Sequence, residues 1–419
     1  MIQLVRGFKD ILPEELSLWQ YIEKKAISLF SAFGYKEIRL PLLEKSALFA
    51  RSIGEGTDIV EKEMYSFIDR NEEWLTLRPE ATASVVRAYI QHKMYATEPL
   101  RKLFTIGPMF RRERPQKGRY RQFYQIGVEA FGSASPLLDA QMIYMPMLFL
   151  SRLGVKDVKV HVNSLGCEEC RPIYKEKLLS FINTKEAQLC PDCQRRKEVN
   201  PLRVLDCKVL SCKEAIVGVP DVLGSLCGAC DTHFKIVLEI LSRQKVPFEI
   251  SPSLVRGLDY YTRTAFEIQT DLLGAQSAIA GGGRYDGLVS ALGGPSTPAI
   301  GFAFGLDRLA EVVSQYQTIL PLGLDVFIAA LGEKSQGKAF DWLCELAKQG
   351  FTVEMDFDGR SLKSQMKQAD RLNARFALII GEEELSQGAV IFRNMETKEQ
   401  ISISTQEVVQ VIADTISFK

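Results

Sequence analysis

Hydrophobic residues recur at helical spacing near the start of the chain. They stand three or four positions apart from Leu16 to Phe33, and this spacing predicts a helix with one buried face. Pro13 suits the first turn of that helix and Gly34 suits its end. The next residues, YKEIRLP at 35–41, predict a short strand that the proline stops. A helix followed by a strand is therefore expected at the start of the fold.

The middle of the chain alternates between helical and strand-like patterns. Residues 139–153 predict an amphipathic helix, and residues 155–165 predict a strand. The polar string ISPSLVRGLDYYTRTAFEI at 250–268 has an extended segment on each side of its centre. Residues 280–288, AGGGRYDGL, predict a glycine-rich turn. Residues 298–309, PAIGFAFGLDRL, predict a strand that enters a helix.

The pattern of the last hundred residues differs from the rest. After a predicted linker at 314–324, hydrophobic strands alternate with helices. The predicted strands are VFIAAL, FTVEMD, ALIIG, AVIFRN and ISIST, and one helix is expected at about 339–349. This alternation indicates a small α/β domain with a mixed sheet.

Residues 104–131, FTIGPMFRRERPQKGRYRQFYQIGVEAF, predict two antiparallel strands joined by a long basic loop. The loop carries six cations and one acid: Arg111, Arg112, Arg114, Lys117, Arg119 and Arg121, with Glu113. Such a loop suits a polyanion, because arginine matches phosphate oxygens two at a time, although a solvated hairpin tip has the same composition. Along the second strand, one face carries Phe123, Gln125, Gly127 and Glu129. That face predicts a pocket wall rather than a core.

A helix entrance is predicted within residues 76–88, TLRPEATASVVRA. Arg78 should be extended because Pro79 follows it. Glu80 and Thr82 then stand where a helix begins, so they serve either as caps or as site residues.

Eight of the nine cysteines lie in one segment, which begins at Gly166 and is predicted to be a separate unit. They are spaced as Cys167-x2-Cys170, Cys190-x2-Cys193, Cys207-x4-Cys212 and Cys227-x2-Cys230. Two such pairs complete a tetrahedral zinc site, so eight cysteines allow two structural sites. Reduced thiols, or disulfides in a thermophile, remain the alternative, and the spacing does not determine which pairs combine.

Composition adds few constraints. The 419 residues suffice for two or three domains, and the formal net charge is zero, so any nucleic-acid contact must use local basic patches. The longest apolar run, 142–150, is short and contains Pro146, so no membrane span is expected. The first residues, MIQLVRGFKD, do not resemble a signal peptide. A cytoplasmic location is expected.

Several of these strings together resemble the histidyl branch of the class II aminoacyl-tRNA synthetases. Residues 104–131 resemble motif 2, the first helix and strand resemble motif 1, and residues 298–309 resemble motif 3. The string LVRGLDYYTRTAFE is similar to the signature of the histidyl branch. The resemblance spans nearly the whole chain. Ala81 is a departure, because the family usually has glycine there.

The resemblance implies a multidomain α+β and α/β fold. The antiparallel-sheet catalytic core, flanked by helices, would comprise residues 1–165 and 250–320. The cysteine-rich insertion would span 166–249, and a C-terminal α/β anticodon-binding domain would span 324–419. Zinc is not a general feature of the family, so the resemblance does not bear on the cysteines. The family also implies a homodimer.

The resemblance further implies histidine activation by ATP with Mg²⁺, followed by transfer to tRNA(His). Arg111 and Arg256 would be catalytic. L-Histidine would be held by Glu80, Thr82, Arg111, Gln125, Glu129, Arg256, Tyr260 and Tyr261. ATP would be held by Arg111, Phe123 and Arg308, and tRNA would contact Arg119. The chain's own histidines, His92, His161 and His233, match no signature position and are interpreted as structural or surface residues.

Three alternatives compete with this interpretation. Synthetase-like regulatory subunits of ATP phosphoribosyltransferase resemble the catalytic core, but they typically lose catalytic arginines and the anticodon domain. A class II synthetase for another amino acid would not be expected to carry the LVRGLDYY string. RNA binding without catalysis would not require an intact set of phosphate-binding arginines. The arginines at 111, 256 and 308 therefore favour an enzyme.

Overall fold

An eight-stranded sheet forms the centre of the first of two structural units in this computed structural model. The structure describes residues 2–54, 57–116, 118–207, 209–256, 258–319 and 323–416, without the side chains of 274–276. The two units are Met1–Ile319 and Leu320–Lys419. Among the described residues, no helix is both long and apolar enough to cross a membrane.

The strand order of the large sheet is β1-β5-β6-β11-β10-β9-β7-β8. The five central pairings are antiparallel, and the two edge pairings, β1 with β5 and β7 with β8, are parallel. These strands are β1 Lys36–Glu37, β5 Arg101–Phe110, β6 Gln122–Phe131, β7 Val158–Ser164, β8 Phe248–Ile250, β9 Thr262–Thr270, β10 Ala278–Arg284 and β11 Ala299–Gly305. A small antiparallel sheet contains β2 Leu43–Lys45, β3 Tyr65–Ile68 and β4 Trp74–Leu77.

Ten α-helices accompany these sheets in the described part of the first unit. They are α1 Pro13–Ala32, α2 Ser46–Ile53, α3 Thr82–Gln91, α4 Pro136–Arg152, α5 Cys170–Asn183, α6 Pro191–Val199, α7 Leu210–Ala215, α8 Gly228–Arg243, α9 Leu288–Ala291 and α10 Leu306–Tyr316. Short 3₁₀ or π turns occur at Ile59–Glu63, Met94–Ala96, Glu186–Gln188, Pro201–Val204, Leu223–Ser225 and Asp271–Gln276.

The basic hairpin predicted from the sequence is confirmed as β5 and β6. Met109 pairs with Phe123 and Gly107 pairs with Gln125, so the loop between the strands spans residues 111–121. Lys117 of that loop lies outside the described residues. The opposite face of β6 carries apolar side chains such as Val128, which pack into the main hydrophobic core. One face of β6 therefore packs against the main core, and the opposite face carries the polar side chains.

The first helix also agrees with the hydrophobic pattern, because α1 buries Trp19, Ile22 and Phe30 and the chain turns at Gly34 with a φ of +81°. Helix α4 begins three residues earlier than its periodicity predicts. Ser135 accepts a hydrogen bond from the backbone N–H of Leu137, and a proline occupies the first turn.

The prediction of a glycine-rich turn at 280–288 is wrong for its first half. Residues 280–284 belong to β10, which lies between β9 and β11 at the centre of the sheet. Glycine is disfavoured in strands, but here its missing side chain leaves space above the sheet. A Cβ at Gly281 would lie only 2.7 Å from Cζ of Arg256.

The cysteine-rich segment lies within the first unit and contains α5 to α8. Its own small core includes Tyr174, Leu178 and Leu202. Helix α8, in contrast, packs Phe234 and Val237 into the main core beside the large sheet. The segment is thus anchored to the sheet through its last helix. Its delimitation as a domain at 166–249 stays a prediction.

The second unit confirms the alternating pattern after residue 325. Its sheet has the order β13-β12-β14-β15-β16, with parallel pairing around β12 and antiparallel pairing beyond β14. Its strands are β12 Val326–Ala330, β13 Val353–Met355, β14 Phe376–Ile380, β15 Ala389–Asn394 and β16 Gln400–Ser404. Its helices are α11 Glu333–Lys348, α12 Leu362–Arg371, α13 Glu382–Ser386 and α14 Val408–Thr415. Helix α11 begins six residues before its predicted start at 339.

Candidate active site

A cavity of about 460 Å³ lies over the polar face of the large sheet. This size is typical of sites for small molecules and cofactors. All the histidine, ATP and tRNA positions predicted from the sequence line it. They are Glu80, Thr82, Arg111, Arg119, Phe123, Gln125, Glu129, Arg256, Tyr260, Tyr261 and Arg308. The long antiparallel sheet brings them together, because β6, β9, β10 and β11 are neighbours in space although they are distant in sequence.

Glu129 on β6 is the most buried carboxyl group of this cavity, with 3% of its surface exposed. It accepts a hydrogen bond from the hydroxyl of Thr82 at 2.7 Å and another from the hydroxyl of Tyr285. Burial raises its pKa to about 8, although both hydrogen bonds act in the opposite direction. Glu129 can therefore exist as a neutral acid near neutral pH.

Glu80 lies just before α3, where it caps the helix and also lines the cavity. Its carboxylate accepts hydrogen bonds from the backbone N–H groups of Thr82 at 2.6 Å and Ala83 at 2.9 Å, so it caps the helix. Each carboxylate oxygen has a second lone pair, and Glu80 also lines the cavity. Burial raises its pKa. The cap fixes this carboxyl group in place at the cavity wall.

Three tyrosines form an aromatic wall of the cavity. The ring centroids of Tyr260 and Tyr261 are 4.7 Å apart, and those of Tyr260 and Tyr285 are 5.6 Å apart. Burial raises the pKa of each hydroxyl, so all three are neutral at physiological pH and can both donate and accept hydrogen bonds. No sequence pattern singles out Tyr285, although it belongs to the AGGGRYDGL string.

Arg256 is fixed above β9 and β10 by several contacts. Its Nη1 pairs with Oε2 of Glu267 at 2.5 Å, and its guanidinium lies 5.9 Å from the ring centroid of Tyr261. Gly281 on β10 provides the space that the guanidinium occupies. Glu267, which the sequence reasoning missed, stands on β9 four residues after Arg263, and only the strand pairing shows that it faces Arg256.

Three further arginines line the cavity close to Glu113, which is one of several acids there. Arg119 pairs with Glu113 at 2.6 Å, and Arg111 lies 3.9 Å from the same carboxylate. Arg111 also donates from Nε to the carbonyl of Pro79 at 2.9 Å and lies over the ring of Phe123. Arg308 donates to the carbonyl of Ala278 at 3.0 Å, and burial beside Arg119 lowers its pKa. This cluster can bind several phosphate groups.

The glycine that provides space next to Glu129 is Gly301 rather than Gly127. A Cβ at Gly301 would lie 2.6 Å from Cδ of Glu129. A Cβ at Gly127 would make ordinary contacts, 3.5 Å from Thr105 and 3.9 Å from Ala81. The extra methyl group of Ala81 is buried there and does not enter the cavity lining.

The eight cysteines are not among the described residues that line this cavity, and they form two groups of four. Cys167, Cys170, Cys227 and Cys230 form one group, and Cys190, Cys193, Cys207 and Cys212 form the other. In each group the sulfur atoms lie within 4.8 Å of one another. The structure thus supplies the pairing that the spacing left open.

The three histidines are not among the described residues that line the cavity. His233 on α8 is buried and hydrogen-bonds through Nε2 to Asp139 on α4 at 2.8 Å. Arg284 on β10 donates to the same carboxylate, which ties two helices to the sheet. His233 is therefore structural.

The raised pKa of Glu129 gives a testable pH dependence. Between pH about 4.5 and 8 the folded protein binds a proton on this carboxyl group that the unfolded chain has lost. The free energy of unfolding should therefore fall as the pH rises through this window, by at most about 1.4 kcal/mol per pH unit. Glu129→Gln should remove this contribution. Thermal melting of the ligand-free wild type and variant across the window measures it, and identical pH profiles would contradict the assignment.

Comparisons with known proteins agree with this arrangement. Residues 7–309 match the family model for histidyl-tRNA synthetase, and residues 325–415 match that for an anticodon binding domain. The histidine–tRNA ligase of Desulfosudis oleivorans is 59% identical over 409 residues, covering 97% of each chain. That of Desulfatibacillum aliphaticivorans is 57% identical over the full length of both chains. The crystal structure of apo histidyl-tRNA synthetase from S. aureus covers 98% of this chain at 37% identity, with a TM-score of 0.84. The chain belongs to the histidyl-tRNA synthetase family.

Proposed function

We propose that the chain is a histidine–tRNA ligase. It activates L-histidine with ATP to histidyl-adenylate and pyrophosphate, and then transfers histidine to the 3′-terminal adenosine of tRNA(His). The observation that carries this proposal is a cavity lined by four arginines together with buried acids and tyrosines. Family membership supports the same activity.

Adenylate formation requires positioning and charge stabilisation rather than a protein nucleophile. A carboxylate oxygen of histidine attacks the α-phosphorus, and the bond to the leaving pyrophosphate breaks. Arg111 and Arg256 would bind the α-phosphate, where negative charge accumulates. Arg308 would hold the outer phosphates, and Phe123 would stack on adenine. The contacts of Arg256 with Glu267 hold its guanidinium ready before the substrate binds.

Recognition of histidine would depend on buried polar groups. Glu129 and Tyr261 would bind the imidazole nitrogens, with Tyr260 beside them. Glu80 and Thr82 would bind the amino group, and Gln125 would lie near the backbone of the amino acid. A site of this kind rejects analogues by about 10⁴-fold, because a wrong side chain leaves a buried polar group without a partner.

The proposed cofactors are ATP with Mg²⁺ for the reaction and zinc for the fold. Mg²⁺ typically needs only one or two protein carboxylates beside the phosphates of its nucleotide. Glu113 and Glu267 line the cavity next to the arginines, so the residues present fit such an ion. Bound there, Mg²⁺ would neutralise phosphate charge. The two groups of four cysteines would hold structural zinc.

The basic loop is the proposed contact for the acceptor end of tRNA. Arg119→Ala should slow charging about tenfold, the equivalent of one lost charge-assisted hydrogen bond. ATP–pyrophosphate exchange without tRNA should change little. Arg70→Ala, which is exposed and lies outside both the basic loop and the cavity lining, is the matched control. An equal loss of exchange and charging in Arg119→Ala would instead place Arg119 with the phosphate-binding arginines.

A regulatory subunit is the less favoured alternative. The chain keeps Arg111, Arg256 and Arg308 in one cavity, and the curated relatives of highest identity given above are ligases. A homodimer acting in the cytoplasm is proposed from the family alone.

Charging of bulk bacterial tRNA with individual labelled amino acids tests the proposal. Histidine alone should be attached, and the label should be released by mild base because the bond is an ester. Stable attachment of another amino acid, or of none, would refute the proposed function.

A further inference from the structure

The two cysteine groups have the geometry of closed metal sites. Within the first group, Sγ of Cys167 lies 3.6 Å from that of Cys170 and 3.8 Å from that of Cys227. In the second group, the sulfurs of Cys190 and Cys207 are 3.9 Å apart. Four sulfurs at the corners of a tetrahedron around Zn²⁺, each about 2.3 Å from the ion, are separated by about 3.8 Å. Disulfides, at about 2.05 Å, would require much shorter distances.

The surroundings of the sulfurs also suit thiolates. The backbone N–H of Cys227 donates to Sγ of Cys170 at 3.0 Å, and that of Cys190 donates to Sγ of Cys212 at 3.1 Å. Such hydrogen bonds stabilise negative charge on sulfur and orient the ligands. Because cysteines fill all four positions, neither site leaves room for a substrate or a catalytic water.

The second group encloses a stretch of chain that reaches the candidate active site. Residues 194–206 lie between Cys193 and Cys207, so a shared ion would fix both ends of this stretch, which we call the brace. Asn200 and Arg203 of the brace donate to Oδ1 of Asp259 at 2.8 and 2.7 Å. Asp259 directly precedes Tyr260 and Tyr261 of the aromatic wall.

The brace also contacts a second segment beside the cavity, in which Ile59 is a lining residue. Arg196 pairs with Asp58 at 2.6 Å, and Arg195 pairs with Glu61 at 3.3 Å. These acids lie in or beside the turn at Ile59–Glu63, and the carbonyl of Glu63 accepts a hydrogen bond from the backbone N–H of Arg112 in the basic loop. Two segments that shape the cavity are thus held by one short stretch.

The first group has a different place in the fold. Cys167 and Cys170 follow the end of β7, and Cys227 and Cys230 stand at the start of α8. This group therefore links the two points at which the cysteine-rich segment is joined to the rest of the unit, after β7 and at the start of α8. Its ion would secure the segment, whereas the ion of the second group would secure the brace.

We infer that each group binds one Zn²⁺ and that the second ion, through the Arg203–Asp259 contact, positions the loop at 258–261, which carries Tyr260 and Tyr261. The inference rests on the proposed function, since it assigns the metal a role in histidine binding. Asp259 and Arg203 are positioning residues, because they act through Tyr260 and Tyr261.

The first test is the metal content of the purified full-length chain, measured by mass spectrometry. The wild type should contain two zinc ions per chain. Cys193→Ser with Cys207→Ser should contain one, and so should Cys167→Ser with Cys230→Ser. Iron in place of zinc, or fewer than two ions in the wild type, would overturn the assignment.

The second test removes the Arg203–Asp259 contact while both metal sites remain intact. Arg203→Ala should keep both zinc ions but raise the KM for histidine about tenfold, with the KM for ATP nearly unchanged. Deuterium uptake at residues 258–261 should also become faster. Lys213→Ala removes a cation from an exposed position on α7 and serves as the matched control. An unchanged KM for histidine and unchanged uptake in Arg203→Ala would refute the coupling.

Combining Arg203→Ala with Asp259→Asn completes a double-mutant cycle. The two effects on the KM for histidine should be less than additive, because both variants weaken the Arg203–Asp259 contact, while Asp259→Asn also alters the hydrogen bond from Asn200. Additive effects would contradict it. Absence of exchange in the wild type would refute the proposed function, while zinc content and deuterium uptake would still decide the metal sites and the brace.

Discussion

Arg256→Ala should lower kcat for ATP–pyrophosphate exchange about a thousandfold. Removing one preorganised group that stabilises transition-state charge typically costs 10²- to 10³-fold, and a charged group belongs at the upper end. The pairing with Glu267 at 2.5 Å and the contact with Tyr261 fix this guanidinium before substrate binds. The KM for each substrate should change less than kcat. Steady-state exchange kinetics with both substrates varied give the two effects separately.

Gly281→Ala provides a second route to the same result. Its Cβ would overlap the guanidinium of Arg256, which is the far end of a long side chain and not backbone, so the fold should be retained while the guanidinium is displaced from its contacts. We expect a melting temperature close to wild type and a large loss of kcat. Gly287→Ala, whose Cβ would meet no atom within 4 Å, is the matched control. Less than a tenfold loss of kcat in both Arg256→Ala and Gly281→Ala would contradict a catalytic role for Arg256.

Glu129→Ala should raise the KM for histidine a hundredfold or more, while the KM for ATP stays within about threefold. The carboxyl group is almost fully buried, and its removal leaves the hydroxyls of Thr82 and Tyr285 without an acceptor, together with the imidazole of the substrate. Phe123→Ala should show the reverse pattern, since its ring is assigned to adenine. The KM values for histidine and ATP, measured by ATP–pyrophosphate exchange in both variants, show whether the two patterns are opposite. Equal effects on histidine and ATP in Glu129→Ala would show that the assignment is wrong.

Local patterns were sufficient to predict much of the fold. The alternation in residues 104–131 predicts both strands of the hairpin, and the proline and glycine around α1 predict its ends. These features depend on residues close in sequence. The run of glycines at 281–283 misled the prediction because a strand normally needs side chains to pack. The approach of Arg256 from another part of the chain explains the glycine at 281, whereas a Cβ at Gly282 or Gly283 would collide with the neighbouring strands β11 and β9.

Resemblance to a family predicted the candidate site residues better than it predicted their supporting contacts. Tyr285 reaches Glu129 across 156 positions of sequence, and Glu267 meets Arg256 only because β9 pairs with β10. No spacing rule connects such residues. The grouping of the first cysteine pair with the last likewise depends on the return of the chain through α8.

ATP–pyrophosphate exchange without tRNA, with each standard amino acid in turn, tests the central claim most directly. The measurement reports adenylate formation and amino-acid specificity together. Exchange with histidine alone is the predicted result. Exchange with a different amino acid would contradict the assignment of Glu129 and Tyr261 to imidazole. Absence of exchange with every amino acid, in protein that still binds histidine, would contradict the enzyme and favour the regulatory subunit.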